Sequence, residues 1–173
     1  SNGTYGTSGG GVYIRSHWTT DTYPVFTNVL IAGNSSTQSG GGMFCADTPQ
    51  LTNVIISNNS AQITGGGIHG DASLTNVTIV GNQAGDSGGG IQLNYVNNAS
   101  SMYHNSIFWN NLPESIHAYG STSLPVAIYC NIEGDTLWTG EGNIDSNPLF
   151  TDPENGDYTL QESSPCIDAG TAD

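Results

Sequence analysis

The sequence contains no lysine and a single arginine, Arg15, against fifteen aspartates and glutamates, giving a formal net charge of −14. Nucleic acids and anionic membrane surfaces reward clustered Lys and Arg, so neither class of partner fits this chain. No apolar run approaches the roughly 20 residues that cross a bilayer as a helix, so no membrane span is expected. Good helix formers are scarce as well, while 24 of the 173 residues are glycine and Asn, Ser and Thr abound. That composition reads as strands and turns. Three cysteines, Cys45, Cys130 and Cys166, are too few and too scattered for a zinc site or a disulfide scaffold. They allow one bridge at most. The composition points to an extracellular or cell-surface setting, where a Cys130–Cys166 bridge is permitted.

What the chain does have is a repeat. Residues 28–42, 53–67 and 76–90 align without gaps. Each block opens on an Asn (Asn28, Asn53, Asn76), carries a second Asn six residues later (Asn34, Asn59, Asn82), and after six more begins a Gly-Gly-Gly triplet (Gly40, Gly65, Gly88). Asn105 and Asn111 repeat the first interval, and Gly9-Gly10-Gly11 supplies an earlier triplet. Apolar residues alternate after the first Asn (Val29/Ile31, Val54/Ile56, Val77/Ile79) and after the triplet (Val12/Ile14, Met43/Cys45, Ile68/Gly70, Ile91/Leu93). A further apolar position precedes each block: Phe26, Leu51, Leu74 and Tyr103. Alternation of this kind is strand periodicity. Each unit therefore carries three short strands separated by bends.

One such unit cannot bury its apolar face, but stacked units can, with each strand pairing in parallel with its copy about 4.8 Å away. Asn at a bend tolerates the left-handed conformation and can ladder with the Asn above and below. Both Asn columns, Asn28, Asn53, Asn76 and Asn105 and Asn34, Asn59, Asn82 and Asn111, are expected to play this structural part. Glycine triplets suit corners where a β-carbon would clash or φ must be positive. The distance from one triplet to the next Asn is seventeen, eleven, nine and fifteen residues, so insertions leave the stack at a single edge. Loops gathered on one face of a solenoid are where binding usually evolves.

The chain reads as one domain, residues 1–173, with regular coils over 9–111 and irregular acidic coils and a cap over 112–173. Eleven of the fifteen acidic residues lie beyond position 110. Asn155-Gly156, between Asp152-Pro153-Glu154 and Asp157-Tyr158, signals a tight turn for a closing hairpin or end cap. Asp152, Glu154, Asn155 and Asp157 also make an oxygen-rich loop, and hard oxygens clustered this way suit calcium, although the spacing is not that of a known calcium hand.

The Gly-Gly-Gly-apolar triplets and the blocks Phe26-Thr27-Asn28-Val29, Leu51-Thr52-Asn53-Val54 and Leu74-Thr75-Asn76-Val77 resemble the paired repeats of polymorphic outer-membrane proteins. They are similar also to the pectate-lyase-like β-helix repeats of bacterial surface proteins. The tail, Gly142-Asn143-Ile144-Asp145 through Ser164-Pro165-Cys166-Ile167-Asp168-Ala169-Gly170, looks like the last coil of secreted bacterial β-helix proteins. Fold and resemblance converge on an all-β, right-handed, single-stranded parallel β-helix with three short strands per coil and about six coils.

Lyase chemistry of the pectate type would need an Arg or Lys base beside carboxylates, and Arg15 is the one candidate, with no acidic cluster near it in sequence. Hydrolysis would need paired carboxylates about 5–9 Å apart, yet no Asp or Glu recurs on a regular strand. His17, His69, His104 and His117 occupy unrelated repeat positions. Cys45 reads as a buried thiol. Sequons fall at Asn2, Asn34, Asn58, Asn76 and Asn98. Asn34 and Asn76 belong to the columns, which leaves Asn2, Asn58 and Asn98 for glycosylation.

No catalytic constellation and no organic cofactor emerges. The reading is a non-catalytic extracellular structural or adhesive module, with two kinds of partner. One is other chains meeting it end to end, through unpaired strand edges, into a fibre or surface assembly. The other is cell-surface or glycan ligands. The alternative is a carbohydrate-binding or polysaccharide-degrading domain in which Trp18, Tyr23, Tyr95, Trp109 and Trp138 stack on sugars.

Overall fold

The computed structural model describes residues 7–15, 23–93, 101–118, 124–134 and 138–170. They form an all-β parallel solenoid, and a 3₁₀ turn at Pro153–Asn155 is the one helical segment among them. No helix is long and apolar enough to cross a membrane. Sheet 1 stacks Val12–Ile14, Met43–Cys45, Ile68–His69, Ile91–Leu93 and Ile116–Ala118. Sheet 2 stacks Val25–Thr27, Gln50–Thr52, Ser73–Thr75, Met102–His104 and Val126–Ile128. Sheet 3 stacks Leu30–Ala32, Ile55–Ser57, Thr78–Val80, Ile107–Trp109 and Asn131–Ile132. A narrow fourth column, Ser35–Ser36, Ser60–Ala61 and Gln83–Ala84, occupies the bend after the second Asn.

Five strands per sheet make about four turns, fewer than the six coils expected. The stack ends early because beyond Asn131–Ile132 the chain adds one bridge, Asn131 to Ile144, and then reverses into an antiparallel hairpin, Phe150–Asp152 with Asp157–Leu160.

The alternating positions become the interior. On sheet 2, Phe26, Leu51, Leu74, Tyr103 and Ala127 lie in register, and on sheet 3 so do Ile31, Ile56, Ile79, Phe108 and Ile132. Ile56, Ile68, Ile79, Ile91, Tyr103 and Phe108 are wholly buried. Each aliphatic side chain so placed contributes about 1.5–3 kcal/mol through lost apolar surface. No unit could gain this alone, since every inner side chain is roofed by the copy one coil away.

The two Asn columns divide the labour that was expected of both. The first column takes the left-handed backbone, with φ of 57°, 54°, 54° and 48° at Asn28, Asn53, Asn76 and Asn105. The second turns inward as a ladder: Asn34 Nδ2 donates to Asn59 Oδ1 (3.1 Å), Asn59 Nδ2 to Asn82 Oδ1 (3.0 Å) and Asn82 Nδ2 to Asn111 Oδ1 (3.0 Å). The same oxygens accept the backbone N–H of Asn34, Asn59 and Asn82, and Asn59, Asn82 and Asn111 also donate to the carbonyls of Ile31, Ile56 and Ile79. A buried carboxamide is tolerated only when its donors and acceptors are satisfied in this way.

The triplets serve both purposes foreseen for them. Their first glycines sit at φ near +70° (Gly40, 70°; Gly65, 69°), and a β-carbon on the second, Gly41, would come within 2.4 Å of Ser60 O. Glycine therefore lets neighbouring coils close up at that corner.

The turn at Asn155-Gly156 does form a hairpin, with Gly156 at φ 82°. It lies along the outside of sheet 3 as a strap: Asn58 Nδ2 donates to Tyr158 Oη (3.0 Å), and Phe150 and Pro153 line a cleft with Val80 and Trp109. Closure of the stack falls instead to Asn143 and Trp138. Asn143 Oδ1 accepts the Cys130 N–H (2.9 Å), its Nδ2 donates to Ala127 O (2.8 Å), and Trp138 packs on the core.

Candidate functional site

All three cysteines are free thiols. Strand alternation explains why the Cys130–Cys166 bridge that the composition permits is not made. Cys130 faces the core, and the next residue, Asn131, faces out and donates to Cys166 Sγ (3.1 Å), which sets Cys166 on the outer side of sheet 3. Burial pushes the Cys45 thiol up to about 12 and that of Cys130 to about 11, so both stay protonated and unreactive at neutral pH.

At the variable edge, desolvation holds the half-buried Asp71 carboxyl above the usual carboxylate range. Its charge adds to the burial that raises Cys45 and Tyr103. The Tyr103 hydroxyl is fully buried and has no hydrogen-bond partner. Asp47, on the same edge, is half-buried, and Arg15 is exposed at the end of the first strand of sheet 1. Residues 16–22 and 94–100, which hold His17, Trp18 and Tyr95, lie outside the described residues.

The other histidines are dispersed. His69 stacks flat on Phe44, His104 meets the edge of Tyr129, and His117 Nδ1 lies 2.7 Å from Glu114 Oε1. Among the described residues no group of three or more His, Cys, Asp or Glu is gathered where it could hold a metal ion. In the acidic hairpin Asp152 faces Asp157 across the turn. Asp152 Oδ2 accepts from Asn155 Nδ2 (2.7 Å), and Asp157 Oδ1 accepts from Thr159 Oγ1 (2.6 Å) and Thr159 N (3.0 Å), which lowers the Asp157 carboxyl. The turn thus closes on its own hydrogen bonds, and Glu154 is exposed and takes no part in them.

Of the three candidate glycosylation sites, Asn2 and Asn98 lie outside the described residues. Asn58 is exposed with φ 53°, and its amide nitrogen is the one that Tyr158 holds, so the strap sits on the atom a glycan would occupy.

Two surface arrangements escaped the sequence. On the outer side of sheet 1, Tyr13, Phe44 and His69 stack in register with centroids 5.2 and 5.0 Å apart and planes within 8°. Thr64 Oγ1 anchors His69 Nδ1 (3.0 Å). Alternation within Tyr13, Phe44 and His69 was readable, but the residues share no type, and that hid the column.

The second arrangement is a cleft of about 300 Å³ between the outside of sheet 3 and the strap. Trp109, named from the sequence as a sugar-stacking candidate, forms one wall, and Asn110, Asn147 and Gln161 contribute carboxamides. The described aromatics otherwise fall elsewhere, with Trp138 against the core and Tyr23 exposed beside the first coil. Asn110 could have been found: it precedes the ladder residue Asn111 as Asn58 precedes Asn59, and both take positive φ. Asn147 and Gln161 carry no repeat signal. A larger cavity, of about 510 Å³, lies where the tail passes over Asn76, Asn105 and Tyr129. Part of its polar lining is engaged: Asn131 bonds Ser146 and Cys166, and Tyr129 Oη donates to Glu141 (2.7 Å).

No protein-family model matches the chain, and no curated protein or solved structure matches it.

Proposed function

We propose that the chain is a non-catalytic structural or adhesive module of an extracellular or cell-surface assembly, akin to the β-helix repeats that its motifs resemble. The observation that carries this reading is where the polar side chains go. The carboxamides of the second Asn column, the hydroxyls of Ser39 and Thr64 (2.9 Å apart) and the rings of Tyr13, Phe44 and His69 each join one coil to the next. Chemistry-bearing groups are thereby committed to a stiff rod, and the thiols inside it are inert. Such a rod holds ligands or neighbouring domains at fixed spacing.

The ends of the stack differ. Trp138 and Asn143 cover the last coil, whereas in the first coil the strands Val25–Thr27 and Leu30–Ala32 are the outermost of sheets 2 and 3, with no further strand paired to them among the described residues. Contact with another chain through strand edges therefore favours the first-coil end over head-to-tail joining. The second reading, carbohydrate binding, draws its support from the Trp109 cleft.

Incubation with neutral and acidic polysaccharides, followed by assays for new reducing ends and unsaturated products, tests the module reading. No product is expected, together with retention of the chain on glycan-coated or matrix-coated surfaces. Turnover of any of these polymers would overturn it.

A further inference from the structure

We infer that the cleft between Trp109 and the C-terminal hairpin is a binding site for a single neutral sugar ring. The inference deepens the adhesive reading and rests on it. Sheet 3 sends Ala32, Ser57, Val80 and Trp109 outward in one register column. Ser57 and Val80 are buried although they face out, whereas Trp109 remains half-exposed at the border of the covered zone. The hairpin meets it there through Leu149, Phe150 and Pro153.

Among the described residues Trp109 has no ring partner, and its indole N–H has no hydrogen-bond partner. Around it the carboxamides are incompletely used. Asn147 accepts the Leu149 N–H with Oδ1 (3.0 Å), which leaves its amino group available. Gln161 donates from Nε2 to Phe150 O (3.0 Å), which leaves its carbonyl oxygen available. Asn110 engages Glu133 through its backbone N–H, so its exposed side chain keeps both functions.

An indole face beside unengaged donors and acceptors matches a molecule with an apolar C–H face and a rim of hydroxyls, each able to donate and accept. Aromatic bodies with polar tips suit such amphipathic partners. A purely apolar ligand would desolvate these polar groups without pairing them. Among the described residues no ionisable side chain lines the cleft, and a chain of net charge −14 repels an acidic ligand, so the sugar is neutral. The volume stands at the small end of ligand pockets, which limits the occupant to about one ring. Among the described residues no carboxylate pair lines the cleft, so it binds without cleaving. The Tyr13–Phe44–His69 column does not compete, because both faces of Phe44 are already covered by its neighbours.

Calorimetric and saturation-transfer NMR titrations of the folded chain with neutral hexoses and N-acetylhexosamines, and with a hexuronic acid for comparison, test the site. At least one neutral sugar is expected to bind saturably and the uronic acid more weakly. Trp109→Ala is expected to weaken binding by about tenfold or more, and Asn110→Ala by a smaller factor. Trp109→Phe, which keeps a ring, should fall between wild type and Trp109→Ala. Tyr13→Ala, on another face, should bind as wild type, with folding of every variant checked by circular dichroism. Binding unchanged in folded Trp109→Phe and Trp109→Ala would overturn the site while leaving adhesion elsewhere intact. Absence of saturable binding to every neutral sugar, with surface retention preserved, would remove the site alone. Polysaccharide turnover would remove the module reading itself.

Discussion

Two columns of asparagine run side by side through this solenoid, six residues apart, and they work by opposite physics. Asn28, Asn53, Asn76 and Asn105 are used for their backbone: the left-handed conformation costs most residues about 1–2 kcal/mol and costs Asn and Gly little. Their side chains are exposed or half-exposed, and Asn53 makes one long bond to Asn28 (3.3 Å). Asn59, Asn82 and Asn111 are used for their side chains, each at most 3% exposed; Asn59 and Asn82 bond to the coils before and after, and Asn111 to the coil before. The difference teaches that one residue type at a constant spacing can serve conformational freedom in one column and satisfied burial in the next.

Substitutions that treat the columns differently break this comparison most directly. Asn82→Ala should be the costliest, because it strands the Asn59 N–H groups and removes the side-chain donor to Ile56 O and Val80 O, of which Val80 O keeps the Asn58 N–H. A loss of about 3–5 kcal/mol is expected by denaturant titration, and Asn82→Gly should fare no better. In the first column Asn53→Ala should cost about 1 kcal/mol, while Asn53→Gly stays within about 0.5 kcal/mol of wild type. Equal tolerance of Gly in both columns would refute the division.

The smallest effect sharpens the contrast between satisfied and unsatisfied burial. Asp71 is partly buried without the partners that the ladder amides enjoy, and its folded pKa is raised by desolvation. A carboxyl whose folded pKa exceeds its unfolded value of about 3.9 favours the folded state when protonated. Its contribution is thus present at low pH and is lost as pH rises through the folded value. Asp71→Asn should raise the melting temperature at pH 7 by about 1–3 °C and flatten its decline between acid and neutral pH. A variant that melts lower at neutral pH would reverse the sign.

Much of the fold was legible because a solenoid writes its geometry as a period. Val54/Ile56 and Val77/Ile79 occupy the inner positions that their alternation implied, and the triplets mark the corner they were assigned. What the period could not reveal is contact between non-repeating parts. The strap crosses sheet 3 through Tyr158 and Phe150, residues with no copies elsewhere, and the position of the Trp109 cleft follows from that crossing. Whether Cys130 and Cys166 pair was not legible for a related reason: separation along the chain says nothing about which side of a strand each sulfur occupies. The coil count was too high because the acidic tail echoes the repeat in sequence while Asn143 and Trp138 close the stack.

The variable edge has a consequence for how this chain can change. Ala46–Pro49, Gly70–Ala72 and residues 94–101 connect sheet 1 to sheet 2 with unequal lengths, yet the strands on either side pair in the same register. Register is set by the columns and not by the connector. Closing a longer loop costs only about 0.6 kcal/mol per doubling. Length at that corner is therefore nearly a free variable: the rod can acquire, trim or exchange whole loops there, one coil at a time, without changing its pitch.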